Sequence, residues 1–309
     1  MPRILEPGQI EAYAQRAVPR VRLPERTGPF TARARRLRHQ GEPGQPGQAI
    51  GDYLQLMAAL VDAQALALAA LEPPLPSAAE LNRSHTHGMP PVQASGWQRP
   101  GEWRELALRL CATVAAEAGA PAAVRDAQGW LRGLAPEQIE AQADALLAAR
   151  PADIERAAAP FLMAALQVYW VALVSRLRPE DVPPLEVPGV CPACGTQPVA
   201  SIVRADPRSQ GYRYLHCALC AAEWHLVRVT CSHCQSTAGI AYHSIEGGSE
   251  ALRAESCEEC HTYRKILYQE KDVYVEPVAD DLASLGLDLL MTEAGFHRSS
   301  GSPLLWQPP

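Results

Sequence analysis

An α+β protein is predicted by three observations on this 309-residue chain. Apolar residues recur at three- and four-residue spacing through the first part. Eight of the nine cysteines crowd between Cys191 and Cys260. Short runs of β-branched and aromatic residues, bounded by Gly, Pro, Asp or Ser, lie in that same cysteine-rich part. The expected organisation is an α-helical domain over residues 1–185, then two small tandem β modules at 186–229 and 230–309, each with a four-cysteine metal site. A chain of this length has the bulk for a real hydrophobic core. With 47% hydrophobic residues and a net charge of −6, it is not collagen, a long disordered chain or a strongly basic nucleic-acid binder.

Residues 1–10 contain Pro2 and Pro7 and no apolar run of secretory type, which predicts a cytoplasmic protein. Residues 1–40 carry nine Arg against three Glu, including Arg33, Arg35, Arg36 and Arg38, and read as a solvated helix face or a basic arm for an acidic partner. Tyr53, Leu54, Met57, Leu60 and Val61 form one helical face. Glu72 to Pro100, with five prolines before Trp97, is expected to be a long surface loop. His85 and His87 within it lack a third ligand and do not make a metal site. Further helices are indicated by Trp103, Leu106, Leu110 and Val114, by Ile139, Leu146 and Leu147, and by Leu162, Leu166, Tyr169, Trp170 and Leu173. The last set belongs to Ala157–Val174, 18 residues without a charge. Pro160, Gln167 and its many alanines favour a buried central helix over membrane insertion. Pro179, Pro183, Pro184 and Pro188 mark a linker over Arg178–Gly189. Strands are expected at Val199–Val203, Tyr212–Leu215 and Trp224–Val229. Near the end, Asp280 is expected to cap a helix lined by Leu282, Leu285, Leu289 and Leu290 and ending before Gly295. The tail Ser299–Pro309 reads as loosely held.

The cysteines form four CxxC pairs, Cys191/Cys194, Cys217/Cys220, Cys231/Cys234 and Cys257/Cys260, and adding 40 to each of the first four numbers gives the other four. This is an internal repeat. Two residues between cysteines let a tight turn aim both sulfurs at one point, and Gly195 can supply the positive φ that such a knuckle needs. Two knuckles joined by a β-hairpin complete a closed four-sulfur site, as in zinc ribbons and rubredoxin-like modules. Disulfides do not suit a cytoplasmic protein, and a thioredoxin-type dithiol would be a single motif. One site per repeat is favoured over interleaving, because each repeat then folds around its own ion. Tetrahedral thiolates accept zinc or iron, so spacing leaves the metal open. His216, His233 and His261 stand beside the knuckles as hydrogen-bonding or surface residues. A closed site leaves no position for substrate, and no Gly-rich phosphate loop, GxSxG or HExxH is present, so no enzyme is expected.

With Cys191-Pro192-Ala193-Cys194-Gly195, the three further CxxC pairs, the helical first half and the proline-rich junction, the chain resembles the formate dehydrogenase accessory protein FdhE family over nearly its whole length. The resemblance implies a cytoplasmic factor needed to make active respiratory, molybdenum-containing formate dehydrogenase, in contact with its catalytic subunit. It further implies rubredoxin-like iron, two ions, with Cys191, Cys194, Cys217, Cys220, Cys231, Cys234, Cys257 and Cys260 as ligands; zinc is the other metal such sites take. Glu255, Glu258 and Glu259 are candidates for the partner contact, or simply a solvated loop. The alternatives are a rubredoxin-like electron carrier, for which a large helical domain is superfluous, and a zinc-ribbon nucleic-acid binder. The second is opposed by charge, since residues 186–309 carry 9 Lys/Arg against 15 Asp/Glu.

Overall fold

The computed structural model describes residues 18–305. The reading of residues 1–10 and the last four residues of the tail lie outside them.

Among the described residues the first half holds seven α-helices: α1 Pro29–Gln40, α2 Gly51–Ala70, α3 Ala78–His87, α4 Glu102–Ala115, α5 Ala122–Gly133, α6 Pro136–Leu147 and α7 Ala159–Val174. Helix α7 is apolar on every side, and every residue in it is buried, as the uncharged run predicts. It is packed by α2, α4 and α6. Trp170 is fully buried and donates its Nε1–H to Val92 O at 2.9 Å. Trp170→Ala is expected to cost roughly 3–5 kcal/mol through cavity and lost bond, seen as a lower urea midpoint with unchanged slope. Among the described residues one helical span, Gln48–Ala70, is long and apolar enough to cross a membrane. Its α2 portion packs against α1, α4 and α7.

Glu72–Pro100 is not one loop, because α3 forms inside it. Ser77 accepts from Glu80 N and Glu80 reaches back to Ser77 N, a capping box that starts the helix. Gly88, at φ +56°, ends it. His85 and His87 are exposed on this helix.

The second half is a sheet: β2 Pro198–Val203, β3 Arg213–Cys217, β4 Glu223–His225, β5 Ile240–His243, β6 Leu252–Cys257 and β7 Thr262–Tyr268, with β1 Val21–Arg22 and β8 His297–Arg298 at its margins. Each repeat supplies three antiparallel strands. The two sets are joined edge to edge by parallel pairing of β2 with β7, Ser201 opposite Ile266, so that the two modules share one sheet in the order β1-β4-β3-β2-β7-β6-β5. The third strand is shorter than expected. Val227 and Val229 lie exposed beyond β4, and Val229 has φ +59°, which a strand does not allow.

Two short helices, α8 Pro277–Ala283 and α9 Leu285–Glu293, replace the single helix expected there. The cap is Glu276, whose carboxylate accepts from Val278 N and Ala279 N; Asp280 lies inside α8. Leu289 and Leu290 are exposed, and Leu287 and Met291 face inward instead. Asp280 is buried because Arg36 and Gln40 of α1 hold it: Arg36 binds it at 2.7 Å and Asp272 at 2.8 Å. Arg33 binds Glu276 at 3.1 Å. Arg33 and Arg36 of α1 thus point into the protein, which corrects the solvated-face and basic-arm readings for these two; Arg35 and Arg38 are exposed. The tail is likewise held down to Leu305. Leu304 is fully buried and its carbonyl accepts from Tyr53 Oη. The main core runs from Leu54 and Trp170 through Cys191 and Tyr214 to Leu282, and a second, smaller one gathers Ala254, Tyr263, Leu287, Met291 and Phe296.

Candidate metal centres

Each CxxC pair occupies a tight turn. In the first, Cys191 N donates to Thr196 O and Gly195 N to Cys191 O, both at 2.8 Å; in the third, Cys231 N donates to Ser236 O at 2.8 Å and Gln235 N to Cys231 O at 3.0 Å. In all four turns the residue after the second cysteine has positive φ: Gly195 at 77°, Ala221 at 59°, Gln235 at 66° and His261 at 51°. Only Gly195 advertises this in the sequence. A side chain in that region costs roughly 1–2 kcal/mol. Gln235→Gly is therefore expected to gain about 0.5–1 kcal/mol after glycine's own entropy cost, read from chemical denaturation.

The turns bring the sulfurs together as two sets, Cys191/Cys194/Cys217/Cys220 and Cys231/Cys234/Cys257/Cys260, with all four sulfurs of each set within 4.8 Å of one another. One site per repeat is thus the arrangement found, and interleaving is not. Sulfurs meet across knuckles at 3.6 Å (Cys191–Cys220) and 3.4 Å (Cys194–Cys217) in the first set. In the second, both cross-knuckle distances, Cys231–Cys260 and Cys234–Cys257, are 3.7 Å. A tetrahedral thiolate site with metal–sulfur bonds of about 2.3 Å has sulfur–sulfur edges of about 3.8 Å. The spacing fits an ion at the centre, and every cysteine is free of a disulfide.

The donor set also asks for a cation. Burial pushes the Cys191 and Cys220 thiols well up. Burial opposes ionisation of Cys217 too, but hydrogen bonds from the neighbouring thiols and Thr196 hold it well below the usual thiol range. Leu219 N and Cys220 N also donate to its sulfur at 3.4 Å. Burial thus disfavours the charged form of Cys191 and Cys220 in the protein alone, and a divalent ion would let them ionise. Thr196 Oγ1 lies 3.1 Å from Cys194 and Cys217 Sγ, and Thr262 Oγ1 3.1 Å from Cys260 Sγ. Both threonines stand two places after a knuckle's second cysteine, a recurrence that the sequence carries and the reading above passes over.

None of the three knuckle histidines joins a sulfur set. His233 and His261 are exposed. His216 is buried and places Nδ1 3.0 Å from Glu223 Oε1. Burial works against the Glu223 carboxylate, but Arg204 and His216 overcome it and hold the carboxyl well below the usual range. A depressed folded value means that Glu223 stabilises the fold above its ordinary value of 4.5, and that this is lost as pH falls below it. The difference in urea midpoint between wild type and Glu223→Gln is expected to shrink on acidification below that pH. Of the acidic candidates for a partner contact, Glu258 and Glu259 are exposed, but Glu255 is not available. It is buried against Arg213 at 2.6 Å.

Three family models cover the chain: FdhE, N-terminal over residues 18–186; FdhE, central domain over 190–228; and FdhE, C-terminal domain over 229–305. The chain is 39% identical to the Protein FdhE homolog of Cronobacter sakazakii over 311 aligned positions, covering 98% of this chain and 97% of that one. It is 38% identical to Protein FdhE of Salmonella paratyphi A, covering 97% and 96%. The crystal structure of the FdhE protein from Pseudomonas aeruginosa superposes with a TM-score of 0.83 at 38% identity, over 94% of this chain and 100% of that one. With three FdhE models spanning residues 18–305 and 38–39% identity to FdhE proteins over nearly their whole length, the chain belongs to the FdhE family.

Proposed function

We propose that this chain is a cytoplasmic accessory factor for the maturation of respiratory formate dehydrogenase, that it binds the catalytic subunit of that enzyme, and that it holds one iron ion on each cysteine set. The single observation that carries the metal reading is the pair of four-sulfur sets at near-tetrahedral spacing. Cys191, Cys194, Cys217 and Cys220 would hold one ion and Cys231, Cys234, Cys257 and Cys260 the other. Iron so bound would supply a one-electron couple at nearly constant geometry. Four sulfurs per ion leave no position for substrate, which supports an accessory role over catalysis.

The partner reading draws support from two concavities where the helical half meets the sheet. One, of about 750 Å³, lies between α1 and the β1 edge and is rimmed by Arg35, Val273 and Tyr274, the last two strongly exposed. The other, of about 450 Å³, lies between α6 and the knuckle residues Thr196, Leu219 and His233. Both are of a size to take a polypeptide segment. The three parts proposed as domains, 1–185, 186–229 and 230–309, meet around them.

Anaerobically purified protein is expected to contain two metal ions per chain and the colour of ferric thiolate. Pull-down of the catalytic subunit, paired with a deletion strain, tests the role. Formate oxidation should be lost while the enzyme polypeptide remains. Normal oxidation in that strain rejects the proposal, and a colourless protein with two zinc ions corrects the metal alone.

A further inference from the structure

Although the sequence repeats its cysteine spacing without change, the two sulfur sets are packed unequally. In the first, all four cysteines are buried, none more than 1% exposed. In the second, Cys231 and Cys257 are buried, Cys260 is half-buried and Cys234 is exposed.

The helical half is the physical cause. The segment that follows α3 lies along the first knuckle, with Val92 N donating to Ala193 O at 3.1 Å and Ala94 N to Cys194 O at 2.8 Å. Helix α7 reaches the second knuckle, where Gln167 Nε2 donates to Ala218 O at 2.7 Å. Both knuckles of the first set are thus held by hydrogen bonds from the buried helical core. Among the described residues no such bond runs from the helical half to the second set. Its Cys231 knuckle is anchored from below, by Arg264 Nε on Ser232 Oγ at 2.8 Å. Its Cys257 knuckle is held by Glu258 N on Gly239 O at 2.9 Å and by His297 N on His261 O at 2.8 Å. These contacts leave the outer side, with His233, Cys234 and Gln235, to solvent.

We propose that the two sets differ in kind. The first is a sealed staple, and the second is an exchange site opened from outside through Cys234. The proposal rests on the reading of the eight cysteines as ligands. The entering group is a thiol, from a small molecule or from a cysteine of another protein. Its sulfur takes the place of Cys234 Sγ, and its proton passes to the departing Cys234 sulfur. One metal–sulfur bond forms as one breaks, no electron is transferred, and net charge is unchanged. The same step at the first set would require Val92–Ala94 or α7 to lift off first, breaking buried hydrogen bonds. The second set is therefore where this chain would receive or surrender its ion, or meet a thiolate of a partner.

The test uses full-length protein loaded with two equivalents of zinc and mixed with excess 4-(2-pyridylazo)resorcinol and iodoacetamide, followed by peptide mapping. One equivalent should leave at least tenfold faster than the other. Cys234 and Cys260 should be alkylated in that fast phase, with Cys191, Cys194, Cys217 and Cys220 protected. Release of both equivalents at one rate, or first labelling within the first set, overturns the proposal and leaves the ligand reading standing. A protein that takes up no zinc overturns both.

Discussion

Cys217→Ser protein is expected to lose the whole fold at ambient temperature, whereas Cys234→Ser protein should keep its helices. Cys217 lies in the same continuous core as Trp170 and Leu54, and its knuckle is tied to α7 through Ala218. With the cysteines as ligands, a structural thiolate site contributes on the order of 10 kcal/mol. That is comparable to the entire stability of an ordinary domain, about 5–15 kcal/mol. Serine would also leave a polar hydroxyl in a fully buried place. Cys234 is exposed, so its loss weakens one site without opening the core. Thermal unfolding followed by circular dichroism, with metal content measured on each sample, checks this. A Cys217→Ser protein as helical as wild type, with two ions, would show that Cys217 is not a ligand. The first ribbon thus shares its core and a hydrogen bond with the helices.

The second large effect is expected at the Arg213–Glu255 pair. Arg213 of β3 and Glu255 of β6 meet at 2.6 Å with side chains 0% and 3% exposed, and the guanidinium also donates to Ser201 Oγ and Thr230 O. The pair bridges the two repeats across the β2–β7 seam. Glu255→Ala leaves a buried cation without its counter-ion, which costs roughly 3–5 kcal/mol. Replacing both partners with apolar residues removes that uncompensated charge, so Arg213→Met/Glu255→Leu should recover most of the loss. Urea midpoints of the two variants decide between this and a merely cosmetic contact, for which both would match wild type.

The two cysteine sets were legible because knuckle geometry is local: two intervening residues suffice to aim two sulfurs, and a fixed offset exposes the repeat. Helix α7 was legible because an uncharged run of that length can only be covered. The inward arginines of α1 were not, since Arg33 and Arg36 find their carboxylates 243 and 244 residues away. Glu255 was misplaced for the same reason, as only the seam brings Arg213 to it. Helix α3 did carry a signal, Ser77-x-x-Glu80, but the prolines on either side hid it. Three of the four positive-φ turns fall on Ala221, Gln235 and His261, residue types that do not announce that conformation.

The β2–β7 seam sets how far this architecture can grow. By the 40-residue offset, β7 is the counterpart of β4 and β5 that of β2. Strands β2 and β4 both run antiparallel to β3, and β7 is parallel to β2, so the two repeats follow each other in one direction, tail to head. Such a joint does not close on itself, and every added unit offers the same edge again. At one end, the edge of β4 that would accept a third unit is taken by Val21–Arg22, pairing antiparallel with Trp224 and Glu223. Two residues borrowed from the helical half thus act as a terminator at that end of the array, denying the β4 edge to a neighbouring molecule.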